Sequence, residues 1–222
     1  MNHTAFASLS LRLRAVCLIP ALFLAAPVAA QPADPIVSDA VASGLQPVGD
    51  RQLDVVFAAP GVNLGAYRAV MLEPITVNYL RDDKRMYRLS RADMTKLQAL
   101  ATSVLETQLA GRYSVVTEPG EGVLAIRAAL ANVWLAFPKG AEAGGQPTLA
   151  EYAVRMSLEA ELIDSVSNQV LMVVADRQGG RVHEASAPVT SDDAWSEVEK
   201  AIAFWAGALR KRLDSAEPAD TK

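Results

Sequence analysis

Between Tyr152 and Leu162 every second residue is apolar, with Arg155, Ser157, Glu159 and Glu161 in the places between. That period of two is the signature of a strand with one dry and one wetted face. Asp164-Ser165-Val166-Ser167-Asn168 then supplies short polar side chains that bond their own backbone and tolerate turn geometry. Gln169 to Asp176 resumes as a Val- and Leu-rich return strand, so Glu151 to Arg181 predicts a long β-hairpin. Upstream, Val123 to Phe137 predicts one long strand whose apolar row changes phase. Leu124, Ile126, Ala128 and Leu130 hold even positions, whereas Val133, Leu135 and Phe137 hold odd ones. A slip of one residue predicts a β-bulge at Ala131 or Asn132.

Two segments switch to the helical period. Leu97, Leu100, Ala101, Val104, Leu105 and Leu109 recur at three-to-four spacing behind Ser90 and Asp93, which predicts an amphipathic helix over Arg91 to Ala110 ending at Gly111. Trp195, Val198, Ile202, Trp205 and Leu209 form the stripe of a final helix capped by Ser191-Asp192-Asp193, with Arg210-Lys211-Arg212 near its C-terminus. Leu53 to Phe57 and Tyr113 to Thr117 predict short strands. Ala69 to Tyr79 predicts a strand that lies at an edge or bulges at Pro74, because proline donates nothing to a ladder. The strand, helix and strand from Ala69 to Thr117 favour a parallel crossover. The expected fold is α+β, a mixed, mainly antiparallel sheet of four to five strands with two helices packed on one face.

The N-terminus carries a different pattern. Arg12 and Arg14 flank the apolar run Ala15 to Ala26, and Val28-Ala29-Ala30 offers the small side chains of a signal-peptidase site. The run is broken by Pro20 and is far shorter than the ~20 residues that span a bilayer. The expected organisation is a cleaved signal peptide over 1–30, a flexible leader over 31–52, one α+β domain over 53–213 and a frayed tail over 214–222. The expected location is the periplasm. Cys17 lies inside the apolar run behind Arg14 and Val16, where lipid attachment needs an aliphatic residue at the third position before the cysteine and a small residue immediately before it, so no lipid anchor is expected.

Processing at Ala30 removes the only cysteine and leaves His183 as the one histidine. No thiolate nucleophile, disulfide or Cys/His zinc cluster can be built from what remains. It also leaves 19 basic residues against 25 acidic ones, about −6, which makes nucleic acid an improbable partner. No phosphate loop, dinucleotide fingerprint or G-x-S-x-G elbow occurs, and no cofactor is implied.

Two further stretches are distinctive: Pro60-Gly61-Val62-Asn63-Leu64-Gly65-Ala66-Tyr67 running into Val70-Met71-Leu72-Glu73-Pro74-Ile75-Thr76-Val77, and Leu158-Glu159-Ala160-Glu161-Leu162-Ile163-Asp164-Ser165. They resemble the bacterial "domain of unknown function 3313" family, over the region from Val55 to Leu213. The resemblance implies export, often as a lipoprotein, and no established activity. This chain departs from the lipoprotein members in lacking an acceptor cysteine at its cleavage site.

Candidate chemistry is sparse. Glu159 and Glu161 share one face of the central strand with Arg127 on its neighbour, a pattern open to general acid–base work or to a solvated cross-strand ion pair; the pairing is the commoner outcome on a wet sheet face. The basic run containing Arg81, Arg85 and Arg88 reads as a solvated loop or as a contact for anionic lipid or cell-wall polymer. Trp134 and Phe137 offer an aromatic contact beside the loop read over Pro138 to Pro147, which carries Gly140, Gly144 and Gly145, with core packing as the alternative. The function expected from these features is a non-catalytic periplasmic binding or adaptor protein whose partner is an envelope protein, lipid or glycan. A carboxylate-dependent hydrolase using Glu159 and Glu161 is the alternative. The exported protein should begin at Gln31; intact mass decides this, and a species beginning at Cys17 with added acyl mass would contradict it.

Overall fold

The computed structural model describes residues 35–78, 89–135, 148–149, 152–181 and 188–216. The segment read as a signal peptide, the basic run with Arg81, Arg85 and Arg88, Phe137 and His183 lie outside the described residues.

Three long strands form the centre. β6 (Val123–Leu135), β8 (Tyr152–Asp164) and β9 (Val170–Arg181) make an antiparallel meander, in which β8 is bonded on both sides. The turn between β8 and β9 falls where the polar run predicted it. Asp164 Oδ1 accepts from the backbone N of Val166 (3.2 Å) and Ser167 (2.8 Å), and Asn168 takes φ 58°, a conformation asparagine tolerates better than most residues. The predicted bulge is present in β6. Pairing with β8 shifts between Ala131 and Trp134, and Asn132 sits at φ 53°. This extra residue moves the inward row from Leu130 to Val133 without turning the strand over.

Short strands extend the sheet on both sides. β1 (Gln46–Pro47) pairs β2 (Val55–Ala58), which pairs β9; on the other side β3 (Ala69–Leu72) runs parallel to β6 and to β5 (Ser114–Val116). β4 (Thr76–Val77) also lies parallel to β6. Pro74 separates β3 from β4, and four steps from Leu72 to Thr76 stand against three from Ile126 to Ala129, so the strand gains a residue at the proline rather than passing through it. The sheet therefore has eight strands in the order β1-β2-β9-β8-β6-β3-β5, with β4 beside β6, rather than four to five. Beyond the strands read from sequence, β1 is two residues long, too short to show a period of two, and the predicted strand over Ala69 to Tyr79 is split at Pro74 into β3 and β4. A separate pair joins β7 (Thr148–Leu149) to β10 (Pro188–Val189).

α2 (Arg91–Leu109) and α3 (Ser191–Ser215) pack against each other, and α3 against β8 and β9. Each begins with a reciprocal capping box. Ser90 Oγ accepts from Asp93 N at 3.0 Å while the Asp93 carboxylate accepts from Ser90 N; Thr190 and Asp193 repeat the arrangement, so Thr190 caps α3 one residue before the expected Ser191. α2 stops at Gly111, whose φ of +87° suits only a residue without a Cβ. The helix pair buries Leu97, Val198, Ile202 and Trp205 against Leu130, Val133, Val154 and Met156, each large side chain contributing about 1.5–3 kcal/mol.

The flexible leader expected over 31–52 requires correction. α1 (Pro35–Ala42) lies on the sheet face away from α2 and α3, where Ala40 and Leu45 cover Phe57 and Val173. The segment reads as irregular because an eight-residue helix offers only two turns of pattern, and Ile36, Val37 and Ala40 are its whole apolar face. Among the described residues there are thus three α-helices, two on one face and one on the other, beside a 3-10 turn at Leu64–Ala66.

Asn132→Val should destabilise the protein by about 1–2 kcal/mol relative to Asn132→Gly, since a β-branched residue resists positive φ. Urea unfolding of the two variants measures this; equal midpoints would contradict the bulge geometry.

Candidate functional site

On the sheet face turned away from α2 and α3, alternation brings Arg127 of β6 directly opposite Glu161 of β8. Arg127 Nη1 donates to Glu161 Oε2 at 2.8 Å, and its Nε and Nη2 grip Glu73 at 2.8 and 3.2 Å. Glu73 is available because the chain breaks at Pro74. Its hydrogen bonds, ahead of those from Glu161, raise the guanidinium's pKa above its ordinary value. The group is exposed, so the pairing orders the surface while adding about 1 kcal/mol or less to stability.

Glu159 takes no part in that network. It stands between Ala129 of β6 and Ala175 of β9 and lines a polar hollow of about 140 Å³ with Asp54, Asn132, Ser157 and Arg177. The bulge places Asn132 there, 3.4 Å from Ser157 Oγ, and Arg177 lies 3.9 Å from Asp54. Glu159 and Glu161 therefore share a face, as their spacing predicts, yet have different surroundings. Trp134 is half-buried against Ala153 and Val189 and does not border the hollow.

The opposite, helix-covered face holds a further cavity, about 60 Å³ and almost wholly apolar. Its origin is legible in the strand register. Ile126 faces Leu162 and Leu130 faces Leu158, but between them Ala128 faces Ala160. α2 contributes Ala101 to the lining, and α3 contributes Ala206 and Ala208. Small side chains from both layers leave space that large ones fill elsewhere, and Leu158 and Ala160 are only partly buried in the middle of the apolar row. A void of this size costs about 1.4 kcal/mol.

Two polar devices hold Trp205 and Arg212, which line this cavity. Asp176, 4% exposed, accepts from Trp205 Nε1 at 2.6 Å, Gln178 Nε2 at 2.8 Å and the backbone N of Asp54 at 3.0 Å, tying α3 to β9. The strap from Asp50 to Asp54 is pinned by Asp50, whose Oδ1 accepts from the backbone N of Gln52 and Leu53 and whose Oδ2 accepts from Arg212 Nη2 at 2.7 Å. The bond from Gln52 is the largest influence on the Asp50 carboxyl; burial opposes it, and with the bonds from Leu53 and Arg212 added the carboxyl is held below its usual pKa. Neither device was expected from sequence. Asp176 did carry a signal, a charge at an inward position after Met172 and Val174, whereas the Asp50 to Arg212 pairing spans 162 residues and leaves no local trace.

The model of the family described as "Protein of unknown function (DUF3313)" matches residues 32–209. The chain belongs to this family. No functionally curated protein matches this DUF3313 chain. Among solved structures, it is similar to a Xanthomonas campestris protein of the DUF330 family model, at 10% identity over 76% of this chain and 96% of that one, with a TM-score of 0.44. A putative neuraminyllactose-binding hemagglutinin homolog from Helicobacter pylori matches at 12% identity over 77% and 90%, with a TM-score of 0.42. The PelC dodecamer from Paraburkholderia phytofirmans matches at 13% over 67% and 96%, with a TM-score of 0.36.

Trp205→Phe should cost about 1–3 kcal/mol, because a buried carboxylate loses a donor while the ring volume is largely kept. Urea unfolding measures the loss; an unchanged midpoint would contradict the bond's role. Asp50 should contribute stability above its unfolded pKa near 3.8 that disappears as pH falls through the lower folded value. Asp50→Asn should therefore flatten the acid limb of the stability–pH curve, and an unaltered limb would contradict the assignment.

Proposed function

We propose that this DUF3313 protein is a non-catalytic binding or adaptor protein of the bacterial cell envelope, working in the periplasm through the sheet face that bears Arg127 and Glu159. The observation that carries this reading is the separation of the two carboxylates. Glu161 is bonded to an arginine that Glu73 also grips, while Glu159 lines a polar hollow with Asn132, Ser157 and Arg177. A two-carboxylate hydrolase would need Glu161 facing the same bond as Glu159 and free to act on it, whereas Glu161 is held by Arg127. A surface alternating hydrogen-bond donors and acceptors around a shallow hollow instead suits a polar partner, such as a protein loop or a glycan.

No helix among the described residues is long and apolar enough to cross a membrane. This is compatible with a partner reached from the periplasm, and the signal-like segment 1–30 supports export.

A photo-crosslinking residue in place of Arg177 should give a discrete adduct in intact cells, whereas the same residue in place of Val166, exposed in the hairpin turn, should not. Equal labelling at the two positions would argue against this face. Hydrolytic activity that Glu159→Gln abolishes would replace the binding reading with the enzymatic one.

A further inference from the structure

We propose that the apolar cavity between the sheet and the helix pair is a binding site for an alkyl chain carrying an anionic head, with the chain inserted beside Ala128 and Ala160 and the head held by Arg212. This goes beyond the surface role above and concerns the other side of the sheet.

Three observations converge on it. The first is the composition of the void. Ala128 and Ala160 face each other on the strands, and Ala101, Ala206 and Ala208 line the same space from the helices, among larger Leu and Ile side chains. Its apolar walls reject water and accept hydrocarbon. At about 15 Å³ for each water-sized sphere, 60 Å³ seats about four carbon atoms, a chain tip rather than a whole long acyl chain.

The second is the way the cavity ends. Leu53, Leu209 and Arg212 form the end of the lining next to the strap, and all three are partly exposed. Arg212 is the one charged residue in that lining among the described residues. Its guanidinium has five N–H donors, of which one meets Asp50, so it can bind a second anion without releasing the first.

The third is the charge about that end. Arg51 belongs to the strap, and Lys211 reaches Gln52 Oε1 at 3.4 Å. With Arg212 they make three cations against Asp50, since Asp54 faces Arg177. This excess outweighs the partial negative charge at the end of α3 and favours an anionic head over a neutral one.

The strap supplies a route of entry. It is held to α3 by the Asp50 to Arg212 and Lys211 to Gln52 contacts and to β9 by the bond from Asp54 N to Asp176. An anion arriving at Arg212 binds beside the contact that pins the strap, at the mouth of the cavity.

Trp205 gives the site its own reporter, because the indole lines the cavity and donates to Asp176. In nuclear magnetic resonance titrations of the purified protein, sodium hexanoate should shift the Trp205 indole N–H saturably, and 1-hexanol should do so more weakly. Dihexanoyl phosphatidylglycerol in a parallel titration distinguishes a lipid source of the same chemistry from a free carboxylate, according to which ligand saturates at the lower concentration. Arg212→Gln should weaken hexanoate about tenfold, the loss of one charge-assisted bond, and leave hexanol unchanged. Ala160→Leu, or Ala128→Val if the larger change prevents folding, should remove the response to all three ligands. No saturable shift of Trp205 with any of them, or a response that survives the cavity-filling substitution, would overturn the site. Equal hexanoate binding by the wild type and Arg212→Gln would overturn the anionic head. Loss of the surface crosslink described above would leave every one of these outcomes unaffected.

Discussion

β8 is bonded on one side to β6 and on the other to β9, so its backbone is satisfied within the sheet and its stability turns on what covers the row Val154, Met156, Leu158, Ala160 and Leu162. The remainder of the fold follows from covering that row. α3 crosses it, α2 packs on α3, and Asp176 fixes the layers by bonding the indole of Trp205 from beneath. The bulge at Asn132 belongs to the same constraint: without it, the second half of β6 would point Val133 and Leu135 to the polar face.

A sheet so covered has two unlike faces. On the helix side the strands are large and apolar except at the alanine level, where a cavity remains. On the other side α1 covers Phe57 and Val173, while Arg127 joins Glu73 and Glu161 across three chain segments and Glu159 faces a polar hollow. The two faces can therefore serve different ligands, although Leu158 lines both cavities and Asp54 and Asp176 connect the strap over the apolar one to the polar hollow.

What could be read from sequence was whatever repeats over many residues. The β8–β9 hairpin, the phase slip in β6, both long helices, the parallel arrangement of β3 and β5, and the ion pair of Arg127 with Glu161 all follow from periods of two or three to four. Elements too short to repeat escaped: α1 and β1 carry eight and two residues, and their places are set by contacts with distant strands. The polar devices escaped for another reason. Trp205 reads as one more apolar residue of a stripe and Asp176 as the end of a strand, and only the packing of α3 on β9 brings the two within 2.6 Å. The cavity was invisible because alanine satisfies an apolar pattern as well as leucine does.

The central claim is that the layer formed by β8 and the helices above it is the unit on which the fold depends, with α1 and β1 as additions to it. Native-state amide hydrogen exchange tests this directly. The account predicts that the amides of β8 from Met156 to Leu162, with their partners in β6 and β9, exchange slowest and through global unfolding, while those of α1 and β1 exchange through smaller openings. Exchange of β8 at the rate of α1, or ahead of it, would contradict the claim.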